Sequence, residues 1–357
     1  MWAMRTLAVV GGGAVGLAVA WQAANAGWSV TVFDPTPGSG ASWVAGGMLA
    51  PLSEGWPGEE RVLTFGAAAL AAWPAFAEQL RATTGESVFV AEQTMTVALD
   101  SADVADLRTV ADWLGSLGHQ TELLDRAGVR AAEPALARSV RAGLVTTGES
   151  AIDNRVLLRA LNKACAQVEM RAETVASLDN LPHDRVVLAA GAQSAQLWPD
   201  LPVRPVKGEI LRLRHRIGAQ PAPKRVIRAR VHGRPLYFVP RDDGIVVGAT
   251  QYEAGFDTTV TVGGVRDLIA DAETIFGGVA EYELAEAAAG LRPSTPDNLP
   301  LLGPLDDRVI AATGHGRNGM LSLALTAELI PRLLEGDETP NLADPQRFSS
   351  PTVGGRQ

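Results

Sequence analysis

Apolar positions along the chain first form an unbroken run, Leu7 to Val10, which breaks into glycine at Gly11 and resumes as the helical stretch ending near Ala20. A short, partly β-branched run closed by glycine predicts a buried parallel strand followed by a helix. A second strand is expected over Ser29 to Phe33. Beyond it the pattern predicts a long alanine-rich helix over Glu59 to Thr84, kinked or restarted at Pro74, a strand over Val88 to Leu99 and a helix over Ala102 to Leu117. A helix over Asp125 to Glu133, a strand over Ala142 to Thr147 and a helix over Asn154 to Val168 follow. Arg185 to Gly191 reads as another strand closed by glycine, with a helix over Ala192 to Trp198. The pattern then turns strand-rich, over Val206 to Arg214, Val226 to Val231, Leu236 to Pro240 and Gly244 to Ala249, with a hairpin at Asp242–Asp243–Gly244. A covering helix over Val262 to Phe276, a strand over Arg308 to Thr313 and a helix over Leu321 to Leu334 complete it. Leu321, Leu325 and Leu329 are the expected buried stripe of that last helix, and the chain from Glu335 is expected to be a loose tail.

Gly11, Gly13 and Gly16 stand in the G-x-G-x-x-G spacing. Gly11 permits the tight turn, Gly13 lets a pyrophosphate approach the backbone and Gly16 lets helix and strand pack closely. On the glycines alone, an ordinary glycine-rich turn is an equal reading. Strand, triplet, helix, second strand and terminal acid in that order favour an adenine dinucleotide, with Asp34 accepting from the ribose hydroxyls. An acid there, in place of arginine, fits a free 2′-hydroxyl. The small-residue loop Gly38 to Pro51 is too long for a simple strand-to-helix connection and too apolar for a solvated tail; it is expected to pack against a large flat group.

Composition narrows the class. A chain of 357 residues exceeds the usual single-core size, so two domains are expected. Lys plus Arg is 31 against 40 Asp plus Glu, a net charge of −9 that argues against nucleic acid and anionic membrane surfaces. Cys165 is the single cysteine, so an intrachain disulfide or a cysteine zinc site is excluded, and a buried structural thiol is expected. Nor does any histidine or carboxylate spacing suit a metal. Met1 to Ala20 has the outline of a secretory leader, but the glycine triplet lies inside it; the expected location is cytoplasmic.

The glycine triplet, SWVAGGMLAP (Ser42–Pro51), VKGE (Val206–Glu209), LYFVPR (Leu236–Arg241), VVGAT (Val246–Thr250), AGLRPSTPDNLPLLG (Ala289–Gly303) and ATGHGRNGM (Ala312–Met320) together resemble the D-amino-acid oxidase family of flavoproteins, particularly its glycine-oxidising members. The resemblance covers about Leu7 to Leu334 and implies an α/β fold: a Rossmann-like FAD domain of the glutathione-reductase type with an inserted mixed or antiparallel-sheet substrate domain. The implied FAD domain comprises residues 1–85, 141–205 and 286–340, the substrate domain residues 86–140 and 206–285, and residues 341–357 form a tail. FAD is expected to be non-covalent, because the late cysteine that attaches it in sarcosine-oxidase relatives is missing here. Besides the triplet and Asp34, the resemblance assigns FAD to Ala14, Val15, Pro35, Ala41, Ser42, Gly46, Gly47, Met48, Val175, Gly191, Gly314, His315, Gly316, Arg317, Asn318, Gly319, Met320 and Leu321. The second glycine-rich helix start, at Gly314 to Met320, is implied to lie beside the flavin pyrimidine edge, where helix-end potential stabilises an anionic reduced flavin.

Amine oxidation by a flavin needs the substrate carboxylate held, the amine kept neutral and water excluded, while the cofactor accepts hydride at N5. Arg292 matches the family's carboxylate clamp and Tyr237 a tyrosine that assists it; an interdomain ion pair and a core aromatic are the bland readings of the two. Arg317 matches an arginine near flavin and substrate, or caps backbone carbonyls. His315 is expected to serve backbone hydrogen bonding, since hydride transfer needs no base. Glu54, Glu59 and Glu60 read as a solvated charge cluster in preference to an acidic lip. Two positions depart from the family pattern: Asp34 replaces a glutamate, and Gln251 stands where methionine is expected. The implied reaction converts glycine, with sarcosine or small D-amino acids as further substrates, to imine and then glyoxylate and ammonia, with O2 reduced to H2O2. The implied partners are thiazole synthase, which would receive the imine, and further copies of the chain in a homotetramer. A D-amino-acid dehydrogenase passing electrons to a quinone-type acceptor and a redox-inert dinucleotide-binding scaffold are the alternatives.

Overall fold

The computed structural model describes residues 5–348. Two sheets share one large cavity. The first has six strands in the order Leu301–Pro304, Val309–Thr313, Arg185–Leu188, Thr6–Val10, Ser29–Phe33 and Glu169–Arg171, parallel except for the pair at one edge. Thr6–Val10 occupies the middle because it is apolar on both faces: Leu7, Val9 and Val10 are at most 4% exposed. Helices Ala14–Asn25, Glu60–Thr84 and Gly319–Leu334 bury one face around Trp21, Trp73 and Phe76, whose rings meet edge to face. The Trp73 indole N–H donates to the Leu321 carbonyl at 2.9 Å, which locks the long helix to the last one. Cys165 lies in this core, its thiol donating to Leu17 O and pushed up to about 12 by burial.

The second sheet has nine strands, running Glu283–Ser294, Arg204–Arg214, Gly244–Gly248, Arg234–Arg241, Val226–Val231, Phe89–Ala98, Ala142–Ile152 and Met48–Leu49, with Thr121–Asp125 also paired to Ala142–Ile152. Its pairings are antiparallel except between Val226–Val231 and Phe89–Ala98. Helix Val262–Ile275 covers one face, over Phe238, Phe276 and Tyr282. The other face looks into the cavity.

Several details differ from expectation. Glu60–Thr84 is one helix running through Pro74. The strand expected at Ala142 to Thr147 continues to Ile152 and pairs in the large sheet, although the implied division gave residues 141–205 to the FAD domain. Glu283–Ser294, which carries Arg292, is a strand of that same sheet. Leu325 and Leu329 only flank the buried face of the last helix, which is formed by Leu321, Ala324, Ala327, Ile330 and Leu334. A stripe stepped by four residues drifts around a helix that turns every 3.6. The segment expected to be loose is docked as far as Phe348: Ala343 is fully buried, its carbonyl accepts Leu302 N–H, and Arg347 pairs with Asp297 at 2.9 Å. Residues 349–357 lie outside the described residues. Among the described residues no helix is long and apolar enough to cross a membrane, and no group of three His, Cys, Asp or Glu side chains is arranged for a metal ion.

Candidate active site

A continuous cavity of about 1230 Å³ runs from the glycine triplet to the inner face of the large sheet. At its first end a side chain on Gly16 would meet Gly11 O at 1.9 Å and one on Gly11 would meet Ala189 O at 2.3 Å, so both glycines serve backbone packing. Gly11 also has φ +112°, a conformation that glycine alone adopts readily. Gly13 differs: a Cβ there would meet only Ser42 Oγ, at 3.3 Å, and would otherwise occupy the cavity. Ser42 Oγ accepts the Ala14 N–H at 3.0 Å, tying the small-residue loop to the helix start. Asp34 accepts Gly12 N–H at 2.6 Å and Thr36 N–H at 2.8 Å, which fixes its carboxylate at the end of the second strand, lining the cavity with lone pairs to spare. Open backbone, helix N-terminus and fixed acid suit an adenine dinucleotide, so the residues present fit FAD.

The loop above this groove is held from below by a polar network. Asn154 Nδ2 donates to the carbonyls of Ser42 and Trp43 at 2.8 and 2.9 Å, while its Oδ1 accepts from Arg212 at 2.8 Å and Arg241 at 3.3 Å. Arg241 also donates to Gly46 O at 2.9 Å and pairs with Asp153 at 3.2 Å; burial pulls its pKa down to about 10. Gly47, at φ +85°, lies so close to Ile152 that a Cβ would be 2.1 Å from its carbonyl oxygen. The loop is thus tied to the sheet and helix beneath it by the protein's own side chains. Asn154, Arg212 and Arg241 were not singled out in the sequence; their only signal is that polar residues interrupt otherwise apolar strands and helix starts.

At the other end the sheet offers a floor of glycine on which two large side chains lie flat. The Tyr237 ring packs over Gly46 and Gly248, where added Cβ atoms would come within 2.8 and 2.3 Å, and the Arg292 guanidinium packs over Gly208, where one would come within 2.3 Å. Arg292 Nη1 donates weakly to the carbonyls of Lys207 and Thr250, at 3.4 and 3.3 Å, and has no carboxylate partner among the described residues. The two carbonyls are themselves fixed. Lys207 is 2% exposed and pairs with Asp257 at 2.8 Å, and fully buried Glu209 accepts Thr261 N–H at 2.9 Å and faces Thr250 Oγ1. Burial raises the Tyr237 hydroxyl's pKa, opposed by the charge of Arg292.

Arg317 does not cap carbonyls: its Nε is 3.0 Å from Glu54 Oε2. Glu54, expected to be solvated, is 12% exposed and also pairs with Arg228 at 3.3 Å. Arg228 escaped the sequence reading, although the alternation in Val226–Val231, with Ile227, Ala229 and Val231 in the core, places Arg228 and Arg230 on the cavity face. Glu60 instead accepts from Trp113 Nε1 at 3.1 Å.

Of the residues assigned to the site, Gly16, Gly314 and Leu321 do not line the cavity; Gly314 packs on Thr295 and Leu321 belongs to the core. Gly13, Ala14, Val15, Pro35, Ala41, Met48, Val175, Gly191, Gly316, Asn318, Gly319 and Met320 do line it. Gln251 lies at its exposed rim. The His315 ring turns away to Thr326 Oγ1 at 3.1 Å; because that hydroxyl donates to Ser322 O, the ring must donate from Nε2. Burial lowers the His315 pKa to about 4 from an ordinary 6.5. The unfolded chain therefore takes up a proton that the folded protein refuses, and stability should fall as pH drops from about 6.5 to about 4, by roughly 3 kcal/mol, and level off below. Urea unfolding of wild type and His315→Gln across this range checks it: the stability difference between them should shrink by that amount toward pH 4.

A family profile described as DAO, FAD dependent oxidoreductase, matches residues 6–333. A Rhizobium etli protein provisionally named a thiamine biosynthesis oxidoreductase, ThiO, is 34% identical over 340 residues, covering 93% of this chain and 97% of that one. The crystal structure of glycine oxidase from Geobacillus kaustophilus superposes with a TM-score of 0.85 at 29% identity, over 94% of this chain and 96% of that chain. A bifunctional protein ThiO/ThiG of Nostoc is 28% identical over 92% of this chain, which spans 52% of it.

Proposed function

This chain belongs to the DAO family of FAD-dependent oxidoreductases as an FAD-dependent amino-acid oxidase, and we propose that its substrate is glycine, with sarcosine and small D-amino acids as further substrates. The observation that carries this reading is Arg292: a guanidinium with no carboxylate partner among the described residues, flat on a glycine floor beside Tyr237, in the cavity that begins at the dinucleotide groove. Its planar fork can hold both oxygens of a carboxylate. On this reading the Tyr237 hydroxyl, in the same cavity, donates to the same group. Positive charge from Arg292 disfavours a bound ammonium, so the amine gives up its proton to solvent and presents a lone pair. Bound FAD supplies the two-electron acceptor for the hydride leaving Cα. The product imine hydrolyses to glyoxylate and ammonia, with O2 reduced to H2O2.

The names of the relatives support a place in thiamine biosynthesis, with the imine passed to a thiazole synthase. An anaerobic screen of flavin bleaching with glycine, sarcosine and D-amino acids tests the substrate; fastest bleaching by glycine is expected, and none by any amino acid would overturn the reading. Peroxide formation in air, compared with dye reduction, separates an oxidase from a dehydrogenase.

A further inference from the structure

The wall of the cavity beyond Tyr237 carries charges that the proposed reaction does not use. Glu54 is wedged between two guanidinium groups, Oε1 3.3 Å from Arg228 Nη2 and Oε2 3.0 Å from Arg317 Nε. Its Oε2 is fully buried and, among the described residues, has no partner in hydrogen-bonding alignment, so its contact with Arg317 is one of charge. The turn that carries it is anchored, because buried Glu149 accepts the Leu52 and Ser53 N–H groups at 2.6 and 2.8 Å. Arg228 sits directly opposite Tyr237 in the antiparallel register, and Glu54, Tyr237 and Arg292 all line the same cavity. Substrate bound by Arg292 therefore shares the cavity with Glu54.

We propose that Glu54 is a specificity-determining residue that reserves the site for monocarboxylic amino acids, by pairing with Arg228 and Arg317 so that a second substrate carboxylate, on nitrogen or on a side chain, finds these two cations occupied and meets a like charge. Two arginines alone would form a second anion site; Glu54 pairs with both, and Glu59 stands 4.0 Å from Arg317. A dicarboxylate would have to displace Glu54 or lie beside it in a partly desolvated pocket, and juxtaposed like charges discriminate strongly there. The inference rests on Arg292 as the holder of the first carboxylate.

The test compares two secondary amines that differ by one carboxylate, N-(carboxymethyl)glycine and N-methylglycine, in wild type, Glu54→Gln and Glu54→Gln/Arg228→Met. The readout is the ratio of their kcat/KM values within each protein, in which altered flavin content cancels. Glu54→Gln should raise the ratio for the dicarboxylate by roughly ten- to a hundredfold, and removing Arg228 as well should abolish most of the gain. A change of less than about threefold in Glu54→Gln, or a gain that survives loss of Arg228, overturns the proposal. Should no amine bleach the wild-type flavin, the glycine reading fails, and the ratio of dissociation constants from flavin spectral titration decides the role of Glu54 on the same criterion.

Discussion

Arg292→Ala is expected to lower kcat/KM for glycine by roughly thirty- to several-thousand-fold while FAD content and visible spectrum stay normal. The loss follows from what surrounds the guanidinium. It is held only by the neutral carbonyls of Lys207 and Thr250, at long range, so its charge is compensated by no carboxylate among the described residues. Truncation would leave the substrate carboxylate unpaired in a partly desolvated site, at a cost of about 2–5 kcal/mol. Arg292→Lys should recover part of the rate, since a point charge cannot reproduce the fork. An amine without a carboxylate should be affected much less by either change. Wild-type glycine kinetics in Arg292→Ala with full flavin would move the clamp elsewhere, with Arg317 the next residue to test.

Gly13→Val should yield folded, colourless apoprotein. The added Cβ meets only Ser42 Oγ, at 3.3 Å, a contact that a shift of a few tenths of an ångström in that one side chain relieves. The branched methyls would fill the groove where a pyrophosphate must approach the backbone. Gly16→Ala is the contrasting case: its Cβ would lie 1.9 Å from Gly11 O, so the strand and helix must separate and the fold itself is damaged. Flavin-to-protein absorbance together with melting temperature distinguishes the two. A fully yellow Gly13→Val protein would show that the dinucleotide lies elsewhere.

The first strand–helix–strand unit was legible because its signals are local: glycine spacing, a β-branched run and a terminal acid all fall between Leu7 and Asp34. Strand Glu283–Ser294 carried no such signal. Its alanines and glutamates lack strand propensity, and pairing along Arg204–Arg214 overrides composition. Arg292 and Tyr237 were reached through the residues flanking them, but the glycines beneath them explain why those flanks take their form. Glu54 was misread as solvated because its burial depends on Arg228 and Arg317, both remote in the chain. The docking of the C-terminal segment was equally invisible, since Asp297, which anchors Arg347, lies 50 residues back in the chain and Leu302, which anchors Ala343, is similarly remote.

The glycine floor also limits how this pocket can be remodelled, by evolution or by design. Gly46, Gly208 and Gly248 have no side chain to trim, so nothing can be cut away beneath Arg292 and Tyr237, and any change there intrudes on them. Adaptation toward bulkier amines is therefore one-sided. It has to proceed through side chains that line the cavity without underlying Arg292 or Tyr237, such as Trp56, Gln251 and Thr258.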